Sequence, residues 1–467
     1  MKLEELRKKH PRFIYHSYSY KFIDNILEIS FKFQIEPDIF FYPKIKIKGE
    51  RPVDAMISHR SQDEMLNNMI FHLGLMEIPS YWKATCSPEI IVKAGHLNHD
   101  QIKWWKELII DGMGQFFFEN KIDFRPVRFL SIKSAFPETE EINMILEKQS
   151  NKALVGVGGG KDSALTLDIF RKASVNFNCF SLNPTKSAGK IMEVAGCNNP
   201  VIIERQIDEK LLKLNQNGYL NGHTPFSAYL AFLSSLIAVI FNYRYIVFSN
   251  ERSSNEGNIR YLGKVINHQW SKSIEFETRF RQYLNKYLVK NLEYFSFLRP
   301  LYEIQIAKVF SNLTDYLKAF LSCNEAYKTD SGRKKPGRKW CGQCSKCLFV
   351  FAILYPFVET KDLVKIFRKN LFNDSKLWPI AKELIGEKDF KPFECVGTVK
   401  ESRAAFYLSC KKNEGLKKMP LLLKRFEKLL IKYPGLEKEA NEILSSRNNQ
   451  NYLPSDFLKI LKSNLLD

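Results

Sequence analysis

The chain has 467 residues, of which 45% are hydrophobic and 26% charged, proportions ordinary for a soluble globular protein with a large core and two or three domains. Its 71 Lys and Arg against 51 Asp and Glu give a formal net charge of +20. That excess favours a polyanionic partner, whether nucleic acid, a membrane surface or a small phosphorylated substrate, unless it only reflects a lysine-rich genome.

The start, MKLEELRKKHPRF, is charged at once and has no apolar core, so no secretory signal is expected and the chain reads as cytoplasmic. RFIYHSYSYKF and ILEISFKFQI alternate as antiparallel strands. SQDEMLNNMIFHLGLMEIPSYW and HDQIKWWKELIIDGMGQFFFEN follow as helices. Residues 1–147 are therefore assigned to an amino-terminal α+β domain.

A helix-like segment then leads into NKALVGVGGGKDSALTLDIFRKA, which reads as strand, tight turn and helix. Consecutive glycines bring backbone close to a ligand, and the N–H groups of the next helical turn attract an anion, so phosphate is the natural occupant. The spacing excludes two better-known loops. Walker A would need Gly where Val155 stands and Ser or Thr where Asp162 stands, and G-x-G-x-x-G fails because Gly156 and Gly158 are followed by Lys161. What remains is similar to the S-G-G-x-D-S pyrophosphate loop of ATP pyrophosphatases, with Gly158 in place of the leading Ser, Lys161 at the variable position, Asp162 placed for Mg²⁺, and Ser163.

ALVGV, NFNCFSLN, NPVIIERQI and YRYIVFSNE alternate with helices through residues 148–320, which predicts a doubly wound parallel sheet with its ligand beyond the carboxyl ends of the strands. TPFSAYLAFLSSLIAVIFNY, residues 224–243, is long enough to cross a bilayer. Its proline, its serines and the strand directly after it favour a helix buried against the sheet. Three polar segments come off the same edge. Asn221, Gly222 and His223 precede Thr224-Pro225, a helix start with Pro as the first helical residue. Residues 248–258 carry Glu251, Arg252, Ser253, Ser254, Glu256 and Asn258, and VINHQWSKSIEFE adds His268, Lys272 and Glu275.

Disulfides are not expected of the nine cysteines. Cys323, Cys341, Cys344 and Cys347 supply the four sulfur ligands of a closed structural zinc knuckle, with an iron–sulfur cluster as the alternative. They open a metal-knuckle and substrate-binding region at 321–410. The basic tail, 411–467, reads as a small helical appendage rather than a nucleic-acid arm.

In order from about residue 65 to 405, SYWKATCSPEI, GGGKDS, NGHTPFSA, SNERSSNEGN, NHQWSKSIEFE, FLRPL, SCN…WCGQCSKC and KPFECVGTVKESR resemble the UDP-N-acetyl-α-D-muramoyl-L-alanyl-L-glutamate epimerase family. The resemblance implies an ATP pyrophosphatase-type sheet and an ATP- and Mg²⁺-dependent inversion of the terminal L-Glu to D-Glu, releasing AMP and pyrophosphate. Adenylation would neutralise the α-carboxylate and make it an electron sink, acidifying the α-C–H directly or through an oxazolone. On this reading Gly158, Gly159, Gly160 and Ser163 cradle pyrophosphate, Lys161 neutralises the leaving charge and Asp162 helps hold Mg²⁺. His223, His268 and Glu251 are candidate α-proton bases, and Cys395 is either a thiolate partner or an inert buried cysteine. Arg252, Lys272, Arg299 and Arg403 are candidates for the glutamate γ-carboxylate or the UDP diphosphate, joined by Asn221, Ser253 and Asn258 as substrate contacts. The partner is then a UDP-muramoyl dipeptide and no nucleic acid, with the oligomeric state open. The rival is another adenylating ATP pyrophosphatase, acting on tRNA or on a small carboxylic acid in the manner of a deazapurine nitrile synthase. A non-catalytic nucleotide-binding module stands against the retention of Lys161, Asp162 and Ser163.

Overall fold

Alternation sets the first strands of the computed structural model, which describes residues 2–49, 60–135, 145, 150–327, 339–415 and 418–465. Strands β1 (Arg12–Ile23) and β2 (Ile26–Ile35) pair antiparallel around Asp24 and Asn25. Both turn residues have positive φ, 47° and 64°, the backbone a two-residue hairpin requires and Asp and Asn tolerate. Along β2, Leu27, Ile29, Phe31, Phe33 and Ile35 are buried while the residues between them are not fully so. After β3 (Ile39–Phe41), β4 (Lys44–Lys48) repeats the pattern, burying Ile45 and Ile47 and exposing its lysines. Strands of this kind need cover on one face. The helix Arg60–Trp82 joins them in one core, and it approaches closely because Gly74 has no side chain: a Cβ there would lie 2.0 Å from the Tyr15 hydroxyl. The second expected helix divides at Met113 into His99–Gly112 and Gly114–Glu119. Strands β5 (Glu89–Val92) and β6 (Ser131–Ser134) extend the sheet in parallel beyond β1.

The four strands read from residues 148–320 form β7 (Ser150–Gly156), β8 (Phe177–Leu182), β9 (Val201–Gln206) and β10 (Tyr243–Phe248), all parallel. A short hairpin, β11 (Ile259–Tyr261) and β12 (Lys264–Ile266), stands apart, and β13 (Glu293–Ser296) pairs parallel with β10. β7 is buried on both faces. Leu154 enters the core around the helix Phe226–Ile240, whereas Ala153 and Val155 enter a second core around the helices Lys161–Lys172, Glu303–Phe310 and Ser345–Leu354. The sheet order is β13-β10-β7-β8-β9-β4-β2-β1-β5-β6, with β3 on β2. β4 pairs antiparallel with β9, Ile45 opposite Arg205 and Ile47 opposite Ile203, so the amino-terminal strands continue the parallel block in one surface. The boundary drawn at residue 147, and the helix-like segment before β7, lie outside the described residues.

The apolar stretch at 224–243 is the helix Phe226–Ile240, mostly buried, and among the described residues no helix is long and apolar enough to cross a membrane. Pro225 precedes that helix instead of opening it. The cysteine expectation needs one correction: Cys179 and Cys197 form a disulfide. Cys179 points from β8 into the second core, and the turn after the helix Lys186–Val194, packed on that face, returns Cys197 to it. The basic tail folds back as the helices Leu421–Glu427, Leu436–Ser445 and Ser455–Ser463. Phe457 seats its ring 4.9 Å from Tyr245, 5.0 Å from Phe295 and 5.5 Å from Phe170.

Two buried groups make this frame testable. Arg205 of β9 donates to both carboxylate oxygens of Glu77, on the helix Arg60–Trp82, and Glu77 is fully buried. Arg205→Met strands that charge, and urea unfolding is expected to show a loss of about 3 kcal/mol or more. His72 bonds the Asn68 carbonyl and the Tyr283 hydroxyl, and burial pushes its pKa from 6.5 down to about 4. As pH falls below 6.5 the unfolded chain takes up this proton first, so stability falls towards pH 4, by up to about 3 kcal/mol. Unfolding midpoints at pH 7 and pH 5 should lie closer together in His72→Gln than in the parent chain.

Candidate active site at the carboxyl edge of the sheet

Across the parallel block β13-β10-β7-β8-β9, the strands stand in chain order fifth, fourth, first, second, third. The connections leaving β7 and β10 therefore diverge, and a ligand crevice opens where they part. The glycine loop follows β7 and the segment beginning Ser249 follows β10.

In the loop, Gly160 caps the helix Lys161–Lys172 in an extended conformation with no side-chain hydrogen bond, which leaves the first-turn N–H groups free of a side-chain acceptor. Gly159 has φ +92°, and a Cβ there would meet the Ala188 nitrogen at 2.9 Å, so glycine is required on both counts. Its carbonyl accepts from the Leu321 N–H at 2.9 Å and from the Ser187 hydroxyl at 2.9 Å. A side chain at Gly158 would meet nothing within 4 Å. Ser163 donates back to the Gly160 carbonyl at 3.2 Å.

Lys161 is only 2% exposed, and its ammonium contacts Asp162 and Glu303. Burial alone would lower its pKa, but these carboxylates outweigh burial and hold it above the ordinary value. Burial would likewise raise Glu303, yet Lys161 and Lys346, the latter 3.6 Å away, hold its carboxyl at about 2. Glu303 opens its helix, where a negative charge meets the positive end of the helix dipole, and its N–H donates to Ser253 Oγ at 3.2 Å. Burial raises Asp162, outweighing Lys161. Glu251 is pushed up to about 7 by burial and then by the charges of Glu303 and Asp162. Its Oε1 is buried and has no partner among the described residues. Asp162, Glu251 and Glu303 each place an oxygen within 4.8 Å of the others, an all-oxygen donor set of the kind a hard divalent cation takes.

A second polar strip adjoins this cluster. Lys272 donates to Cys395 Sγ at 3.2 Å, and that sulfur lies 3.8 Å from His268 Nε2. His268 Nδ1 is 2.6 Å from Gln115 Oε1, and the His223 ring is centred 4.6 Å from the His268 ring. Burial pushes His268 down to about 3 and His223 well below its ordinary value, with nearby lysines adding to both, so the imidazoles are neutral. Lys83 donates to the Gly222 carbonyl at 2.8 Å, and burial lowers its pKa to about 8.

The structure thus gathers Lys161, Asp162 and Glu251 in one cluster and His223, His268, Lys272 and Cys395 in the strip beside it. Other candidates are engaged by protein groups. Arg299 is fully buried and donates to the Glu251 and Lys272 carbonyls, to Glu277 and to Ser254, so it braces the two loops instead of facing a ligand. Arg403 donates to the Ile385 carbonyl and lies over Tyr433, and Arg252 lies over Tyr302. Asn258 holds the Lys391 and Pro392 carbonyls and the His268 N–H. Asn221 is exposed and accepts from Gly222 N–H. Glu303, Lys346, Gln115 and Lys83 join the site without a sequence signal of their own, although Glu303 stands two residues after FLRPL and Lys346 lies inside WCGQCSKC.

Lys346 follows from the cysteine cluster. Cys344 caps the helix Ser345–Leu354 and Cys347 sits in its first turn. The four sulfurs lie within 4.8 Å of one another, with Cys341–Cys347 at 3.6 Å and Cys323–Cys344 at 4.0 Å. A tetrahedral site with metal–sulfur bonds of about 2.3 Å has edges of about 3.8 Å, so the spacing suits one metal ion. Gly342, at φ +65°, makes the turn between Cys341 and Cys344, and Gln343 N–H donates to Cys341 Sγ at 3.4 Å.

Residues 4–297 match the family model described as the MurL N-terminal domain, and residues 319–433 that described as the MurL C-terminal domain. The chain is 33% identical over 357 residues, 76% of each chain, to a protein of Xanthomonas oryzae pv. oryzae (strain MAFF 311018) named UDP-N-acetyl-alpha-D-muramoyl-L-alanyl-L-glutamate epimerase. A Micromonospora protein of the same name is 32% identical over 79% of each chain, and one from Salinispora tropica 32% identical over 70% of each. No solved structure matches the chain.

Purified without chelator, the protein is expected to carry about one metal ion per chain by plasma mass spectrometry. Cys347→Ser should lose that ion and lower the thermal midpoint by several degrees.

Proposed function

The chain belongs to the MurL epimerase family, and we propose that it inverts the terminal glutamate of UDP-N-acetylmuramoyl-L-alanyl-L-glutamate through ATP-driven activation of the α-carboxylate, in the synthesis of peptidoglycan precursors. The observation that carries the activation step is the open glycine loop beside the buried Lys161–Asp162–Glu303 cluster and the unpartnered Glu251 oxygen. Uncapped N–H groups and a permanently charged lysine stabilise an anion that develops as pyrophosphate leaves. The strand order, with the loop at the reversal, supports an ATP pyrophosphatase-type nucleotide domain.

Through Ser187 and Leu321 the loop adjoins a cavity of about 1110 Å³. Phe320 and Trp340 line it, Lys186 and Arg368 add charge, and the Trp340 indole N–H is buried without an acceptor among the described residues. An aromatic floor, cations and a donor suit the base and ribose of ATP. Asp162 and Glu251 would hold Mg²⁺, which would neutralise phosphate charge when bound. The four thiolates would hold a structural zinc, closed to substrate by its fourth ligand.

The chemistry requires activation because an ionised carboxylate opposes a second negative charge on its own α-carbon. As an adenylate, or an oxazolone closed by the neighbouring amide oxygen, the group accepts that charge. Loss and return of the α-proton then invert the centre, and water restores the acid. The ATP requirement fits a cytoplasmic reaction.

Incubation with this substrate, ATP and Mg²⁺ in D₂O is expected to yield AMP, pyrophosphate and a D-Glu product carrying one deuterium at the α-carbon. Pyrophosphate released without deuterium would instead mean acyl transfer to another acceptor. Lys161→Met should slow pyrophosphate release by a factor of about 100 or more.

A further inference from the structure

We propose that Cys395 is the proton-transfer group for one face of the substrate's α-carbon, a thiolate held by Lys272 and relayed to His268. The proposal rests on the epimerase reading and adds to it the residue that moves the proton.

Hydrogen-bond logic fixes the relay. Gln115 Nε2 donates to Glu119 Oε1 at 2.8 Å, which turns Gln115 Oε1 towards His268 Nδ1 at 2.6 Å. An amide oxygen only accepts, so His268 carries its proton on Nδ1 and offers an unprotonated Nε2 to Cys395 Sγ at 3.8 Å. From another segment Lys272 brings an ammonium to the same sulfur at 3.2 Å. The Lys272 ammonium stabilises negative charge on that sulfur, and the free Nε2 of neutral His268 offers the acceptor through which a proton on it leaves towards water.

Two buried side-chain oxygens in the segments around Cys395 and Lys272 have no partner among the described residues. Gln269 donates through Nε2 to the carbonyl of Val396, the residue after Cys395, and its Oε1 is buried without a donor among the described residues. That oxygen suits an amide N–H such as the one bonded to the glutamate α-carbon. Glu251 Oε1 is also without a partner, and the Lys272 ammonium that contacts Cys395 is held up by the charge of Glu251 as well. Cys395 itself is partly exposed, whereas Cys86 and Cys410 are buried and the knuckle cysteines face one another.

In the step, Cys395 S⁻ takes the α-proton of the activated glutamate. The C–H electron pair stays on the substrate and spreads into the activated carboxyl. A proton exchanged from solvent is added to the opposite face, and the new S–H passes its proton through His268 to water. Protons balance and nothing is oxidised.

Two measurements test this. In D₂O with ATP and Mg²⁺, Cys395→Ser should lose inversion by a factor of about 100 or more while still exchanging the α-hydrogen of one epimer and not of the other. Inversion within about threefold of the parent chain, or loss of exchange from both epimers alike, overturns the proposal. In the full chain without nucleotide, iodoacetamide at pH 7 should modify Cys395 ahead of the other free cysteines, as read by peptide mass, and Lys272→Met should slow that reaction at least about tenfold. An unchanged rate in Lys272→Met also overturns it. Should the parent chain itself fail to invert the substrate, the epimerase reading fails, and the alkylation result still decides whether Cys395 is a thiolate.

Discussion

A lysine ammonium buried to 2% exposure can stay charged only if carboxylates meet it, and Lys161 is met by two that come from different places in the chain. Asp162 is its sequence neighbour, but Glu303 arrives from the helix after β13, five parallel strands into the fold. Glu303 in turn is held low in pKa by Lys346 from the cysteine helix as well as by Lys161. Three segments far apart in sequence are thus locked together by one charge-balance requirement. The same requirement explains why Arg299, an interior cation, is surrounded by the carbonyls of the loops it supports and by Glu277.

The cysteine cluster joins this arrangement mechanically. Two of its cysteines, Cys344 and Cys347, bracket Lys346 at the start of one helix, and the Lys346 ammonium reaches both Glu303 and the carbonyl of Cys395. Four thiolates on one metal would leave no position open for chemistry, yet the cysteine turn sets the position of a cation shared by the carboxylate cluster and the segment that carries Cys395. Sulfur geometry on one side of the helix becomes charge geometry on the other.

Much of this was legible in the residues. Local patterns spoke clearly: period-two alternation marked β1 and β2, short apolar runs alternating with helices marked the four parallel strands, the glycine run marked a tight strand-to-helix turn, and two overlapping C-x-x-C steps marked the cysteine cluster. Failures came where meaning depends on partners distant in sequence. Arg299 reads as a substrate contact because a guanidinium suits a carboxylate or diphosphate, and only the fold reveals that its donors are used internally. Glu303 and Lys346 were passed over because a single charged residue at a helix start carries no signal until its partner is known. Gln115 and Glu119 lie on a helix read only for its apolar periodicity. The pairing of Cys179 with Cys197 depends on how a helix folds back onto β8, which composition and redox arguments do not touch.

The pairing of β4 with β9 has a consequence for how the molecule can be divided. Main-chain groups from Ile202 to Gln206 find their partners on Lys44–Lys48, and the face of β9 that buries Val201 and Ile203 is roofed by the amino-terminal core. Cut off ahead of β7, the remaining half would carry a bare, apolar strand edge of the sort that recruits other chains into aggregates. The antiparallel strands act as a permanent edge guard, and the two halves are one unit of solubility before they are one unit of catalysis.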